Sequence, residues 1–238
     1  MIIYGIHTCQ NAFAKRPNDI LKIYVVKSKR IFSWLATADA KKIVYIDEQE
    51  FEKILPKKSV HQGVAIEIED LKYCDITDLI SAPKNSVIAI LDSVTDPQNL
   101  GAIIRSAAAF GISGIVVPEK SSCKATSSAI KAASGGMEHV SIFIVKNLAQ
   151  AIEKIQSYGF WVFSFCEEGA KFLHETSLTG KICLVFGAEG TGIHKLVREK
   201  SDFIIKIPTS ENFKTLNVSA SAAIAFYETA KQNNFKLS

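Results

Sequence analysis

The sequence contains no CxxC pair, and its five cysteines, Cys9, Cys74, Cys123, Cys166 and Cys183, are scattered and odd in number. That pattern indicates neither a disulfide framework nor a zinc site, and it fits a reducing compartment. No run reaches the roughly 18 apolar residues that a membrane-spanning helix requires. The opening MIIYGIHTCQ has no basic segment followed by a clean apolar core, so an export signal is not indicated either. Internal repeats and low-complexity tracts are lacking. These absences lead us to expect a cytoplasmic protein with no membrane partner.

Of the 238 residues, 47% are hydrophobic and 22% charged, enough to bury one large core or two modest ones. The net charge of +4 is a mild basic bias that permits a polyanionic partner without demanding one. Apolar runs rich in β-branched residues alternate with helical patterns along the chain, which places it in the α/β class. KIYVV, KIVYI and GVAIEIE read as strands in the first third, with helices expected over 7–15, 30–40 and 48–54. From residue 87 onward, strands VIAILDSV, GIVV, VSIFIV, FWVFSF, ICLVFG and FIIKI are separated, with one exception, by helical stretches. Such spacing predicts a mostly parallel sheet covered on both faces. Two domains are expected, 1–79 and 80–238, joined within a polar, weakly periodic linker over 70–86 that contains Pro83 and Asn85.

Open parallel sheets bind ligands outside the carboxyl ends of their strands, and three loops there stand out. In DPQNLGAIIRSAAAFG (96–111), Asn99 reads as a helix cap, Pro97 as a turn former and Gly101 as a packing glycine. Arg105 has no carboxylate three or four residues away, so its partner must come from elsewhere. In VFGAEGTGIHKL, Gly187, Gly190 and Gly192 follow a strand, with Glu189 inside the turn. Their order, GxxGxG, reverses the dinucleotide fingerprint, and no Walker lysine follows, so neither a nicotinamide nor a P-loop site is expected. In IKIPTSENFKTLNVSASAAIAFYE, a polar loop leads from Pro208 through Thr215, Leu216, Asn217 and Ser219 into a small-residue helix.

DPQNLGAIIR, LVFGAEGTG and IPTSENFKTLNVSASAAIAFYE together resemble the three ordered motifs of the SpoU (TrmH-like) RNA 2′-O-ribose methyltransferases of the SPOUT superfamily. YGIHTCQNAF (4–13) and VHQGVAIEI (60–68) resemble the RNA-binding extension of the subgroup that acts on a guanosine of large-subunit rRNA. The resemblance implies a C-terminal parallel-sheet domain closed by a deep trefoil knot, behind a small α/β RNA-binding domain. Its implied cofactor is S-adenosylmethionine, with Gly187, Ile207 and Leu216 as contacts and Gly192, Pro208 and Ser219 as further candidates. The catalytic polar set it implies is Asn99, Arg105, Glu189, Asn217 and Thr215, with no metal. Thr215 stands where the family usually has serine, and Thr209 and Glu211 where it usually has methionine and glycine.

A ribose 2′-hydroxyl is a poor nucleophile at neutral pH, so the reaction needs in-line positioning and help with the hydroxyl proton. Arginine stays protonated, which favours Arg105 as a phosphate ligand and alkoxide stabiliser over a base role assisted by substrate phosphate. Its missing partner is then the RNA. Methylation of tRNA and a non-catalytic RNA-binding role stand as alternatives. Lys22, Lys27, Lys29 and Arg30 are candidate phosphate contacts of the first domain, and a homodimer is expected through the small residues Ser219, Ala220, Ala222, Ala223 and Ala225.

Overall fold

The computed structural model describes residues 1–28, 32–56, 59–120 and 126–237; Lys29, Arg30 and Cys123 lie outside them. The first unit comprises β1 (Ile2–Tyr4), α1 (Ile6–Lys15), β2 (Ile20–Val26), β3 (Ile43–Ile46), α2 (Glu48–Ile54) and β4 (Val64–Ile68). Its sheet runs β1-β4-β2-β3, with β4 antiparallel to both neighbours and β2 parallel to β3. The helix expected over 30–40 is instead a 3-10 turn at Ser33–Thr37 and another at Ala40–Lys42. Ala38 and Asp39 are extended, and the Asp39 carboxylate accepts from the Lys41 backbone N–H at 3.0 Å, a local bond that competes with helix continuation.

The second unit follows as β5 (Val87–Asp92), α3 (Pro97–Phe110), β6 (Gly114–Pro118), α4 (Ser127–Ala133), β7 (Ser141–Val145), α5 (Leu148–Ser157), β8 (Trp161–Phe165), β9 (Lys171–Phe172), β10 (Ile182–Gly187), α6 (Lys195–Lys200), β11 (Phe203–Lys206) and α7 (Val218–Gln232). These strands form a seven-stranded sheet, β7-β6-β5-β10-β8-β11-β9, paired in parallel throughout. Every residue of β5 is buried, because helices cover both faces of the sheet. Ala89 and Leu91 face one layer with α3, α4 and α7, while Ile88 and Ile90 face the other with α5 and α6. Two short strands, β1 and β9, escaped the sequence reading because three and two residues carry no period.

The stretch expected as a linker is seated on the larger sheet. The Cys74 N–H donates to the Ile142 carbonyl at 2.9 Å, a capping box closes the 3-10 helix Ile76–Ser81, and Leu79 enters the core. The two units also touch directly. Arg16 Nε and Nη2 donate to the two oxygens of Glu138 at 2.8 and 3.1 Å, Asn11 meets His139 at 3.1 Å, and the Lys131 ammonium lies 5.2 Å from the Tyr4 ring centre.

Part of the small-residue set of α7 is used inside the chain, contrary to expectation. Ala222 and Ala225 are buried in the core shared with α3, and Ser219 is taken up at the helix cap, so they are not free to meet a second copy. The face left open carries Ala220, Ile224 and Tyr227, spaced as one helical stripe.

Gly101 is a packing glycine. A Cβ there would come within 2.4 Å of both the Ala129 carbonyl oxygen and the Ala132 Cβ. Gly101→Val is therefore expected to destabilise the protein by about 2–3 kcal/mol through overpacking, read as a lowered midpoint in thermal or urea unfolding; an unchanged midpoint would contradict the close α3–α4 approach.

Candidate active site

β10 lies between β5 and β8, with Gly187 opposite Asp92 at the carboxyl ends of the paired strands. From β5 the chain moves outward through β6 and β7, then crosses back past β5 to build the other half of the sheet. That reversal is the switch point where open α/β sheets form their crevice. The loops after β5 and β10 open there, and the loop after β11 brings its far end to the same place.

In the first loop Asp96, not Asn99, caps α3. Its carboxylate accepts from the Gln98 N–H at 2.9 Å, and Pro97 fills the first helical position, where no N–H is needed. Asn99 is thereby released for other work. In the second loop Gly192 returns its N–H to the Ala188 carbonyl at 2.9 Å, closing a tight turn with Gly192 at φ +67. A Cβ on Gly187 would sit 2.1 Å from the Gly192 carbonyl carbon, so the turn can close only over glycine. Glu189 is exposed at its tip. Left-handed Gly192 also explains why α6 begins at Lys195, later than the helical pattern suggested.

In the third loop Asn217 caps α7, accepting at Oδ1 from the Ser219 N–H at 2.8 Å and the Ser219 hydroxyl at 2.5 Å. Its amide nitrogen donates to Asn99 Oδ1 at 3.0 Å and to Glu189 Oε1, while Asn99 Nδ2 donates to the same Glu189 oxygen at 3.2 Å. Three residues predicted from three separate loops thus form one hydrogen-bonded triangle. Ile207 is half-buried against the core, and Pro208, Thr209, Glu211, Thr215 and Leu216 are exposed along the approach.

Arg105 is not part of the triangle. It lies six residues beyond Asn99, about 9 Å further along the helix axis. Its side chain is exposed, and among the described residues it has no ion pair or hydrogen bond. Water therefore solvates it, and no partner within the chain is required; what remains is an available cation on the helix that carries Asn99. In the first unit Lys22 is exposed, whereas Lys27 already lies 3.3 Å from Asp47.

Sequence reasoning missed Asp92 and His194. Asp92 is 2% exposed, accepts from the His194 N–H at 2.8 Å and from the Ser93 hydroxyl at 3.2 Å, and lies 2.8 Å from His194 Nδ1. The signal was an acidic residue closing an otherwise apolar strand. Its effect is to tie the end of the glycine turn to β5. Among the described residues no three His, Cys, Asp or Glu side chains gather as a metal site.

The side chains that meet here are two amides and one carboxylate, with apolar Ile207 and Leu216 on the loop that leads to Asn217. A Cβ added at Gly190 or Gly192 would meet nothing within 4 Å, so the lip of the turn is open. These surroundings suit a purine ring flanked by backbone groups.

Comparison with known proteins gives a consistent result. The profile of the SpoU rRNA Methylase family matches residues 86–227, and that described as RNA 2'-O ribose methyltransferase substrate binding matches residues 2–74. The 23S rRNA (guanosine-2'-O-)-methyltransferase RlmB of Vibrio vulnificus is 32% identical over 237 residues, covering 97% of this chain and 96% of its own length. RlmB of Escherichia coli K12 is 32% identical over 246 residues, with 98% and 99% covered. Among solved structures, the SpoU methyltransferase AviRb from Streptomyces viridochromogenes, crystallised with AdoMet, superimposes with a TM-score of 0.83 at 18% identity, covering 98% of this chain and 90% of that one. At that identity the likeness speaks for the fold.

The cap assignment can be tested separately from any activity. Asp96→Ala should cost about 1 kcal/mol of stability through loss of the cap, whereas Asn99→Ala should stay within about 0.5 kcal/mol of the parent. Thermal unfolding of the pair distinguishes this from capping by Asn99, which reverses the order.

Proposed function

The chain belongs to the SpoU rRNA Methylase family, and on that premise we propose that it transfers a methyl group from S-adenosylmethionine to the 2′-hydroxyl of a guanosine in large-subunit rRNA. The observation that carries the reading is the convergence of Asn99, Glu189 and Asn217 from three loops onto one triangle at the switch point. Gly187, Ile207 and Leu216, with Gly192, Pro208 and Ser219, would hold the cofactor. When bound, S-adenosylmethionine supplies an activated methyl carbon, so the protein needs no further electrophile.

The remaining work falls to the chain's own side chains. Asn99 and Asn217 hold the Glu189 carboxylate in one orientation at the mouth of the crevice, and Thr215 adds a hydroxyl two residues before Asn217. Arg105, a guanidinium with no ion pair or hydrogen bond among the described residues, binds the phosphate next to the target ribose and stabilises the alkoxide as the proton leaves. Positioning supplies much of the rate, because the hydroxyl must approach in line.

Residues 1–79 act as the RNA-recruiting unit and 80–238 as the catalytic unit, in the division the sequence suggested. The knot implied by family resemblance is supported by the return of α7 across α3 onto β10 and by the folding of Gly187 against Gly192 and Ile193. An rRNA substrate supports a cytoplasmic location, and no helix among the described residues is long and apolar enough to cross a membrane. A homodimer is supported by the open face of α7, where Ile224 and Tyr227 are exposed and the Tyr227 ring lies against Phe110 and Phe235 at 5.8 and 6.0 Å.

Mapping 2′-O-methyl groups in rRNA from a deletion strain tests the activity; an unchanged methylation map would overturn it. Arg105→Ala should lower turnover by roughly two to four orders of magnitude, with the melting temperature and calorimetric cofactor affinity unchanged. Arg105→Lys should recover little, since a point charge cannot reproduce the guanidinium fork. Tyr227→Asp should convert the dimer to a folded monomer by light scattering, and a parent that is already monomeric at micromolar concentration would remove the dimer.

A further inference from the structure

Residues 208–217, from Pro208 to the helix cap, are all exposed, and Phe213 stands out among them. At 71% it is the most exposed large apolar side chain in the described structure. The exposed rings of Trp161, Phe203, Tyr227 and Phe235 each lie against another ring, whereas among the described residues no ring contact is found for Phe213, nor for the less exposed Tyr45 and Tyr73. It is held in place from its backbone. The Phe213 N–H donates to the Ser210 carbonyl at 3.3 Å, and the Ser210 hydroxyl donates to the Phe213 carbonyl at 3.3 Å, closing a turn with Phe213 at one end.

Location gives this ring a meaning. Phe213 precedes Asn217 by four residues, so the two backbones are at most about 14 Å apart, and Asn217 is a corner of the triangle. Lys214, also exposed, follows immediately. An aromatic face beside a cation is the pairing by which proteins hold unpaired nucleotides: the base stacks on the ring and the cation meets the backbone. A strand that delivers one ribose into a crevice made of three loops must leave its regular stack there, baring base faces.

We propose that Phe213 is a stacking platform for an unpaired base of the RNA strand adjoining the methylated ribose, with Lys214 on the neighbouring phosphate. The proposal rests on the rRNA methyltransferase reading and adds a substrate-binding residue to it.

The test uses the full chain and large-subunit rRNA transcribed in vitro, comparing the parent with Phe213→Ala, Phe213→Leu and Phe213→Tyr. Loss of one base–aromatic stack is expected to weaken RNA affinity and raise KM by roughly 5- to 150-fold in the Ala and Leu variants. The Tyr variant should match the parent, and kcat, cofactor affinity and mass by light scattering should not move. Parental RNA affinity in Phe213→Ala would overturn the proposal. So would full recovery by leucine, which would mark an ordinary apolar contact, or a shift from dimer to monomer that accounts for the lost affinity, which would mark a subunit contact. A parent that binds rRNA but methylates no ribose would sink the functional reading while leaving the binding comparison to decide Phe213; a parent that does not bind rRNA sinks both.

Discussion

Parallel pairing of β10 with β5 on one side and β8 on the other is the constraint from which the candidate site follows. It places Gly187 opposite Asp92 and opens the loops after both strands at one edge. The buried Asp92 carboxylate then ties the far end of the glycine turn to β5 through the His194 N–H. With that turn fixed at both ends, Glu189 projects at its tip, where Asn99 and Asn217 reach it. No single loop makes the site. The sheet brings three short motifs to one edge, and hydrogen bonds between their side chains complete the arrangement.

Much of this was legible in the sequence because parallel strands buried on both faces are written as continuous apolar runs. VIAILD and ICLVFG are such runs, and their ends mark where function lies. The grouping of Asn99, Glu189 and Asn217 was available only through family resemblance, since nothing in spacing tells which residues 90 or 118 positions apart will touch. The choice of cap was misjudged because Asp96 and Asn99 are both good cap formers, and only the backbone decides which stands at the first turn. Ala222 and Ala225 of α7, expected to meet a second copy, were misjudged for a related reason. Alanines permit close approach on either side of a helix, and here α3, within the same chain, takes it. The described part of the stretch over 30–40, residues 32–40, breaks into 3-10 turns rather than a helix, and Asp39 satisfies a nearby N–H locally.

The contact between the two units bears on how an RNA is presented. The Glu138 side chain is largely buried and receives two donors of Arg16, which also reaches Asp19, so removing Arg16 would leave the Glu138 charge without compensation. Together with the seating of residues 74–82 on the larger sheet, this makes the first unit an attached wall of the second. An RNA bound to residues 1–79 would therefore be offered to the crevice from a fixed direction.

The long sequence separation inside the triangle has a thermodynamic consequence. Asn99 and Asn217 meet only after six strands of the larger sheet and the connections between them are in place, so no partly folded form of the catalytic unit owns the crevice. A ligand that binds there binds the complete fold alone and stabilises the entire domain by mass action. Ligand occupancy then governs how often the chain opens, and with it exposure to proteolysis, without any contact outside the crevice.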